Sequence, residues 1–268
     1  MRKGEVVKGS KLALVTGAST GIGRQYAEQL ADLGYNLVIV SRTEEALKIA
    51  AAEIEAKHGV KVVIKQMDLA TADAAEALFE WCKNEGYVVD VLINNAGMFS
   101  FCDMENTPIE RVKRTITLHD ITYTVLCQLF GKDMAERGGG YILNMSSFSV
   151  WMPFPGLALY SASKAYTKAF SVAFAKEMRE KNVWVTAVCP AGIATDLYGL
   201  TKKWQGIGLK LHALSTPSYC AHRGLRSLWR KRICIVPDWW CKAFIPICDM
   251  LPRFAMNWLR NFTMKWQK

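Results

Sequence analysis

Tyr160-Ser161-Ala162-Ser163-Lys164 places a phenol and an ammonium four residues apart, on one face of a helix. An ammonium beside a phenol favours the phenolate and lowers its pKa, so such a tyrosine can give up and recover a proton near neutrality. The spacing alone discriminates weakly, because nine tyrosines and 21 lysines among 268 residues predict roughly 0.7 such pairs by chance. Tyr198 and Lys202 indeed make a second pair. Position separates the two. Ser147 precedes Tyr160 by thirteen residues and follows the apolar run 141–145, whereas Tyr198 has no comparable hydroxyl partner. Ser147, Tyr160 and Lys164 are therefore the candidate proton-transfer group.

A second cluster reads as a phosphate cradle. In Thr16-Gly17-Ala18-Ser19-Thr20-Gly21-Ile22-Gly23-Arg24, glycines 17, 21 and 23 permit a tight turn and close backbone approach. The helix that follows directs its free N–H groups and positive dipole end at an anion. The spacing is GxxxGxG rather than GxGxxG, and its weight comes from a strand before it and a helix after it. The second strand ends in Ser41-Arg42. A site for NAD places a carboxylate near this point to hold the ribose 2′-hydroxyl, while the planar fork of Arg42 suits a 2′-phosphate, so NADP(H) is the expected cofactor. Ser19, Thr20 and Thr43 are further candidate phosphate donors.

These residues need a scaffold that brings strand ends together, and the hydrophobic pattern supplies one. Short β-branched runs at 11–16, 36–40, 60–67, 88–93, 141–145 and 183–189 alternate with helical periods at 22–33, 43–58, 72–84, 107–137 and 158–181. Such alternation predicts right-handed βαβ units and an α/β fold of the Rossmann type: a doubly wound parallel sheet of about seven strands with helices on both faces. Ligands of such sheets bind at the carboxyl ends of the strands. No repeat, low-complexity stretch or linker divides the chain, so a single domain over 1–268 is expected.

The combination of Thr16 to Gly23, Asn94-Asn95-Ala96-Gly97, Ser147, Tyr160-x-x-x-Lys164 and Pro190 to Thr195 resembles the short-chain dehydrogenase/reductases, over about residues 10–198. The resemblance implies an NAD(P)-dependent oxidoreductase, usually a dimer or tetramer, in which Tyr160 protonates the substrate carbonyl and Ser147 holds its oxygen. Lys164 would bind the nicotinamide ribose and depress the tyrosine pKa. It also implies cofactor contacts from Gly17, Ser19, Thr20, Gly21, Ile22, Gly23 and Arg42, from Asp68 and Leu69 at the adenine, from Asn95, Ala96 and Gly97, and from Pro190, Gly192, Ile193 and Thr195 at the nicotinamide.

Two positions depart from the family pattern. Where a relay asparagine is usual, this chain has His119, or Asp120 if the helix shifts by one. His119 falls on the seam Val112, Ile116, His119, Tyr123, Phe130, which points it inward. A histidine titrating near neutrality could relay protons itself, and a packed helix histidine is the equal alternative. Ala191 stands where glycine is usual.

Charge is unevenly spread. The net +10 arises in the last quarter: from Gly199 onward, 13 Lys and Arg face two aspartates, giving +11, while the preceding residues carry −1. That stretch also holds six of the nine tryptophans. Residues 199–268 read as a substrate lid with Leu200, Trp204, Ile207, Leu209 and Leu211, a helix at 217–230, a last strand at 233–236, and a basic aromatic extension. An apolar lid predicts a bulky apolar carbonyl or alcohol, such as a 3-oxoacyl thioester or steroid. The narrower likeness is to the branch containing 3-oxoacyl-coenzyme A reductases and 17β-hydroxysteroid dehydrogenases. The extension fits packing against the body, a sister subunit or a membrane surface. No recognition motif accompanies the charge, so nucleic acid is not an expected partner. The chain shows neither a secretory leader nor a confident membrane span, and the expected location is cytoplasmic with room for membrane association. Eight cysteines without metal spacing predict thiols and no metal site.

Overall fold

The computed structural model describes residues 11–99, 101–195, 197, 201–238, 240–248, 252, 254, 256–257 and 260–261. Seven parallel strands lie in the order β3-β2-β1-β4-β5-β6-β7, with the order reversing between β1 and β4. The strands are β1 Leu12–Thr16, β2 Asn36–Ser41, β3 Val62–Gln66, β4 Val91–Asn94, β5 Gly140–Met145, β6 Val183–Val188 and β7 Cys234–Ile235. The expected Rossmann-type architecture is present.

The central strands are apolar at nearly every position because both faces are covered. Successive side chains alternate between the faces. Ala13, Val15, Leu37 and Ile39 pack with α1 (Gly21–Asp32), α2 (Glu44–His58) and α8 (Pro217–Trp229), through Tyr26, Leu30, Leu47, Ile54 and Leu228. Leu12, Leu14, Val38 and Val40 face the opposite layer, formed by α3 (Ala74–Asn84), α5 (Tyr123–Glu136) and α6 (Ala158–Met178). Element boundaries follow local chemistry: acidic Glu44 and Glu45 open α2 and Gly59, at φ +68°, closes it. Pro217 stands in the first turn of α8, where Thr216 accepts the Tyr219 N–H at 3.1 Å.

The helical period at 107–137 is not continuous. It divides into α4 (Ile109–Ile116), a π-helical turn over Thr117–Thr122, and α5. The extra residue of a π-turn shifts the phase of the helix, so Ile116, expected on the inward seam, is 40% exposed, while Thr115 and His119 are buried.

The lid contains a helix not read from sequence, α7 (Lys202–Lys210), and the last strand is two residues long rather than four. Beyond it, α9 (Cys241–Cys248) packs Cys241 and Ile245 with Cys189, Phe148 and Trp151, which follow β6 and β5. Arg260 is ion-paired with Asp103. The described part of the extension thus folds onto the body. Tyr198, Leu200, Trp239, Leu251, Trp258, Phe262 and Trp266 lie outside the described residues. No described helix is long and apolar enough to cross a membrane.

Candidate active site

The carboxyl ends of the strands open on a cavity of about 660 Å³. Its floor begins at the glycine turn after β1. Gly17 and Gly21 have φ of +66° and +59°, conformations that favour glycine. Gly23 is needed for another reason: a Cβ there would sit 2.1 Å from the Gly17 carbonyl oxygen. The turn is fixed from below. Thr16 Oγ1 accepts the N–H groups of Asn95 and Ala96 at 2.9 and 3.0 Å, and Asn95 Nδ2 donates to the carbonyls of Thr16 and Gly17 at 3.0 and 3.2 Å. The Asn95 amide thus holds the cradle's shape. Thr20 is the N-cap of α1, yet its hydroxyl makes no cap bond and remains available at the rim.

The cavity wall carries Arg24, Arg42, Arg114 and Lys164 against one carboxylate, Asp68. Asp68 accepts from Arg114 Nη2 at 2.7 Å and from the Ala70 N–H at 3.0 Å. Burial pushes its carboxyl up, and these two bonds together with the charges of Arg114 and Arg42 outweigh that and hold it below the usual range. Arg24 is tied to Glu53 and Glu28. No ion pair engages Arg42 among the described residues. A glycine cradle at a helix N-terminus, followed by a wall with more cations than carboxylates, fits an extended anion with several phosphates.

At the other end of the cavity stand Ser147, Tyr160 and Lys164, all buried. The bend after β5 presents Ser147, whose Oγ accepts the Ser149 N–H at 3.2 Å. The first turns of α6 present Tyr160 and Lys164, and the Ser147 hydroxyl lies close enough to the Tyr160 phenol to favour its ionised form. Lys164 Nζ donates to the Met145 carbonyl at 2.9 Å. The tyrosine ring is gripped edge-on by Phe99, with centroids 5.0 Å apart.

Electrostatics here differ from expectation. Burial pushes the Tyr160 phenol up to about 12, with the Ser147 bond opposing. Burial also lowers Lys164 to about 7 against the attraction of Asp120. Lys164 Nζ lies 6.0 Å from the Tyr160 ring centre, so desolvation of both groups outweighs their coupling.

The π-turn sets the relay position. His119 Nε2 accepts the Met98 N–H at 3.0 Å, so its proton is on Nδ1, which lies 2.9 Å from Ser163 Oγ. Ser163 in turn donates to the Tyr160 carbonyl at 2.9 Å. Burial, then Lys164, push His119 well below its ordinary pKa, so the near-neutral titration expected for it does not hold. Asp120 behaves oppositely: burial raises its carboxyl to about 6, and its buried Oδ1 has no hydrogen-bond partner among the described residues.

Of the residues singled out from sequence, Gly17, Ser19, Thr20, Gly21, Ile22, Arg42, Asp68, Leu69, Asn95, Ala96, Gly97, Ser147, Tyr160, Lys164, Pro190 and Thr195 share this one cavity. Gly23, His119, Gly192 and Ile193 do not line it. Gly192 lets Leu214 pack closely, since a Cβ would fall 2.5 Å from Leu214 Cδ2. Ile193 is core and bridges to Ser215. Sequence reasoning missed Arg114, Gln205 and the Thr216–Ser218 segment at the start of α8, all on the wall.

Residues 11–206 match the family model described as short chain dehydrogenase. The chain belongs to the short-chain dehydrogenase family. A very-long-chain 3-oxoacyl-CoA reductase of Pyricularia oryzae is 40% identical over 181 residues, 66% of this chain and 54% of that protein. The 17-beta-hydroxysteroid dehydrogenase type 3 of Mus musculus is 37% identical over 187 residues, 69% of this chain and 61% of that one. This short-chain dehydrogenase thus spans between half and two thirds of the length of those relatives. The solved short-chain dehydrogenase from Sphingobium yanoikuyae in complex with NADPH superposes with a TM-score of 0.78 at 29% identity, covering 90% of this chain and 92% of that one.

Proposed function

We propose that this short-chain dehydrogenase is an NADP(H)-dependent reductase of a ketone on a hydrophobic substrate, of the 3-oxoacyl thioester, steroid or other lipid-like class. The observation that carries the reading is the shared cavity, lined by the phosphate cradle and Arg42 at one end and by Ser147, Tyr160 and Lys164 at the other. The relatives that reduce 3-oxoacyl-CoA, and the NADPH in the solved neighbour, support it.

The dinucleotide would supply a hydride to the carbonyl carbon; Gly17, Gly21 and Arg42 would hold its phosphates, and Lys164 its nicotinamide ribose. As charge builds on the carbonyl oxygen, the Ser147 hydroxyl donates to it and the Tyr160 hydroxyl transfers its proton. A phenol raised to about 12 is fully protonated at neutral pH, which suits an acid in reduction better than a base in oxidation. His119, with both nitrogens committed, acts as a positioning residue that ties the Gly97–Met98 bend to α6. Asp120, near 6 and close enough to Lys164 to perturb it, is the better group to pass protons inward. Phe99 against the Tyr160 ring, with Phe101 and Phe154 packed on each other in the flanking loops, suits an apolar substrate.

The test is oxidation of NADPH followed against medium- and long-chain 3-oxoacyl thioesters and steroid ketones. Turnover confined to small polar ketones would overturn the substrate class, and no turnover with any carbonyl would overturn the reaction. Arg42→Asp is expected to move preference toward NADH by about 10- to 100-fold, the cost of losing a bidentate phosphate contact and gaining a repulsive charge; an unchanged ratio of kcat/KM for the two cofactors would refute the assignment.

The reading extends to a dimer or tetramer that is cytoplasmic and associates peripherally with membranes. Phe244 and Phe254 are 51% and 77% exposed amid net positive charge, a combination that suits an anionic lipid surface. Deleting residues 237–268 is expected to reduce cosedimentation with phosphatidylserine vesicles several-fold, and equal partitioning of the two proteins would reject membrane contact.

A further inference from the structure

Among the eight cysteines, two stand apart by geometry. Cys189, the residue after β6, and Cys234, the first of β7, have their sulfurs 3.9 Å apart. Ala187 pairs with Cys234 in the parallel register, and Cys189 lies two residues beyond Ala187. All three side chains therefore share one face of the sheet. β7 is the edge strand, and Cys234 is only part-buried. The surroundings are those of a reactive thiol. The neighbouring Cys189 sulfur is within hydrogen-bond reach, in either direction, and Lys168 and Lys242 add positive charge, so Cys234 is held below the usual thiol pKa although burial opposes it. Core cysteines behave in the opposite way: burial raises Cys82 and Cys127 to about 12.

The pair is also connected to the catalytic loop. Cys189 packs against Phe148 and Trp151, and Lys168 Nζ stands 4.2 Å over the Trp151 ring. The Phe148 N–H donates at 2.8 Å to the carbonyl of Pro190, the residue after Cys189. Phe148 directly follows Ser147.

We propose that Cys189 and Cys234 form a redox-active dithiol that hydroperoxides close to a disulfide directly behind the Ser147 loop. The Cys234 thiolate attacks the peroxide; the S–O bond forms, the O–O bond breaks, and the leaving oxygen takes a proton to depart as water or an alcohol. The Cys189 sulfur then attacks Cys234, forming the S–S bond as the S–O bond breaks, and the oxygen departs as water. Two thiols lose two electrons and two protons, and the peroxide is reduced by the same two electrons. The sulfurs must approach to about 2.05 Å, and a two-residue edge strand is the element able to shift that far. Neither the pair nor its test depends on the reaction assigned above.

The full-length protein treated with hydrogen peroxide, alkylated and digested is expected to yield a linked peptide joining positions 189 and 234, reversed by dithiothreitol. This pair should oxidise at least about tenfold faster than Cys82 or Cys127, as thiolate chemistry requires. Cys234→Ser should abolish the linked peptide. Cys189→Ser should leave a Cys234 sulfenic acid that dimedone labels, and if that variant fails to fold, the mapping of the wild-type chain and of Cys234→Ser decides alone. Recovery of Cys234 as an unmodified thiol, its direct conversion to sulfinic acid without the link, or a disulfide that persists in Cys234→Ser would each overturn the proposal.

Discussion

Tyr160→Phe is expected to lower NADPH-dependent reduction by roughly 10²- to 10⁴-fold, the range for loss of a positioned general acid, while the affinity for NADPH changes by less than about twofold. The substitution removes one oxygen. Tyr160 is buried, its ring packed edge-on against Phe99 and 6.1 Å from that of His119, and phenylalanine keeps both ring contacts. What disappears is the phenolic hydroxyl beside Ser147, the group whose proton the reading assigns to the carbonyl oxygen. Ser147 still accepts from the Ser149 N–H, so the loop should hold its shape and the loss should fall on kcat rather than on folding. Stopped-flow turnover with cofactor titration by fluorescence separates the two. Equal rates for the variant and the parent would remove Tyr160 from the chemistry and, with it, the reductase reading.

How much of this site the sequence disclosed depended on how local each signal was. The glycine turn, Ser147, Tyr160 and Lys164 were legible because backbone freedom or helical spacing ties each to its neighbours. Alternating apolar runs likewise predicted the sheet, whose strands are buried on both faces. The π-turn was not legible. A hydrophobic seam at 3.6-residue spacing assumes an uninterrupted helix, and the added residue near His119 broke that phase, exposing Ile116, while His119, read equally as a proton relay or a packed helix histidine, is a buried link between Met98 and Ser163. Arg114 was missed for a different reason. Its role arises from a 2.7 Å ion pair with Asp68, 46 residues away, and nothing in the local sequence distinguishes it from solvated arginines on an amphipathic helix. Gly224 is another tertiary case: a Cβ there would meet the Tyr26 hydroxyl at 2.3 Å, so α8 can lie close on α1 only with glycine.

Lys164→Met is expected to stabilise the dinucleotide-free protein at neutral pH even as it reduces turnover by about 10²- to 10³-fold through loss of the cation. Burial lowers Lys164 from its ordinary value to about 7, whereas the unfolded chain titrates near 10.4. Between those values the unfolded state binds more protons than the folded one, so this lysine's contribution to stability rises with pH through the window. Below about pH 7 the whole penalty is present, with an upper limit of about 5 kcal/mol for a shift of this size. Methionine has similar length and no charge to bury. It forfeits the bond to the Met145 carbonyl and leaves that oxygen unpaired, which costs about 1–3 kcal/mol. The net gain near pH 6.5 should therefore be about 1–3 kcal/mol, or roughly 2–8 °C in melting temperature for a chain of this size. Near pH 9.5, where the folded-state lysine is already neutral, the advantage should shrink or reverse. Lys164 also lowers its neighbours Asp120 and His119, so the difference between the two melting curves reads Lys164 together with those two groups, and the groups beyond them cancel. A variant less stable than the parent at both pH values would show that the ammonium is not held at a cost, and a retained turnover would show that its charge is not what the site uses.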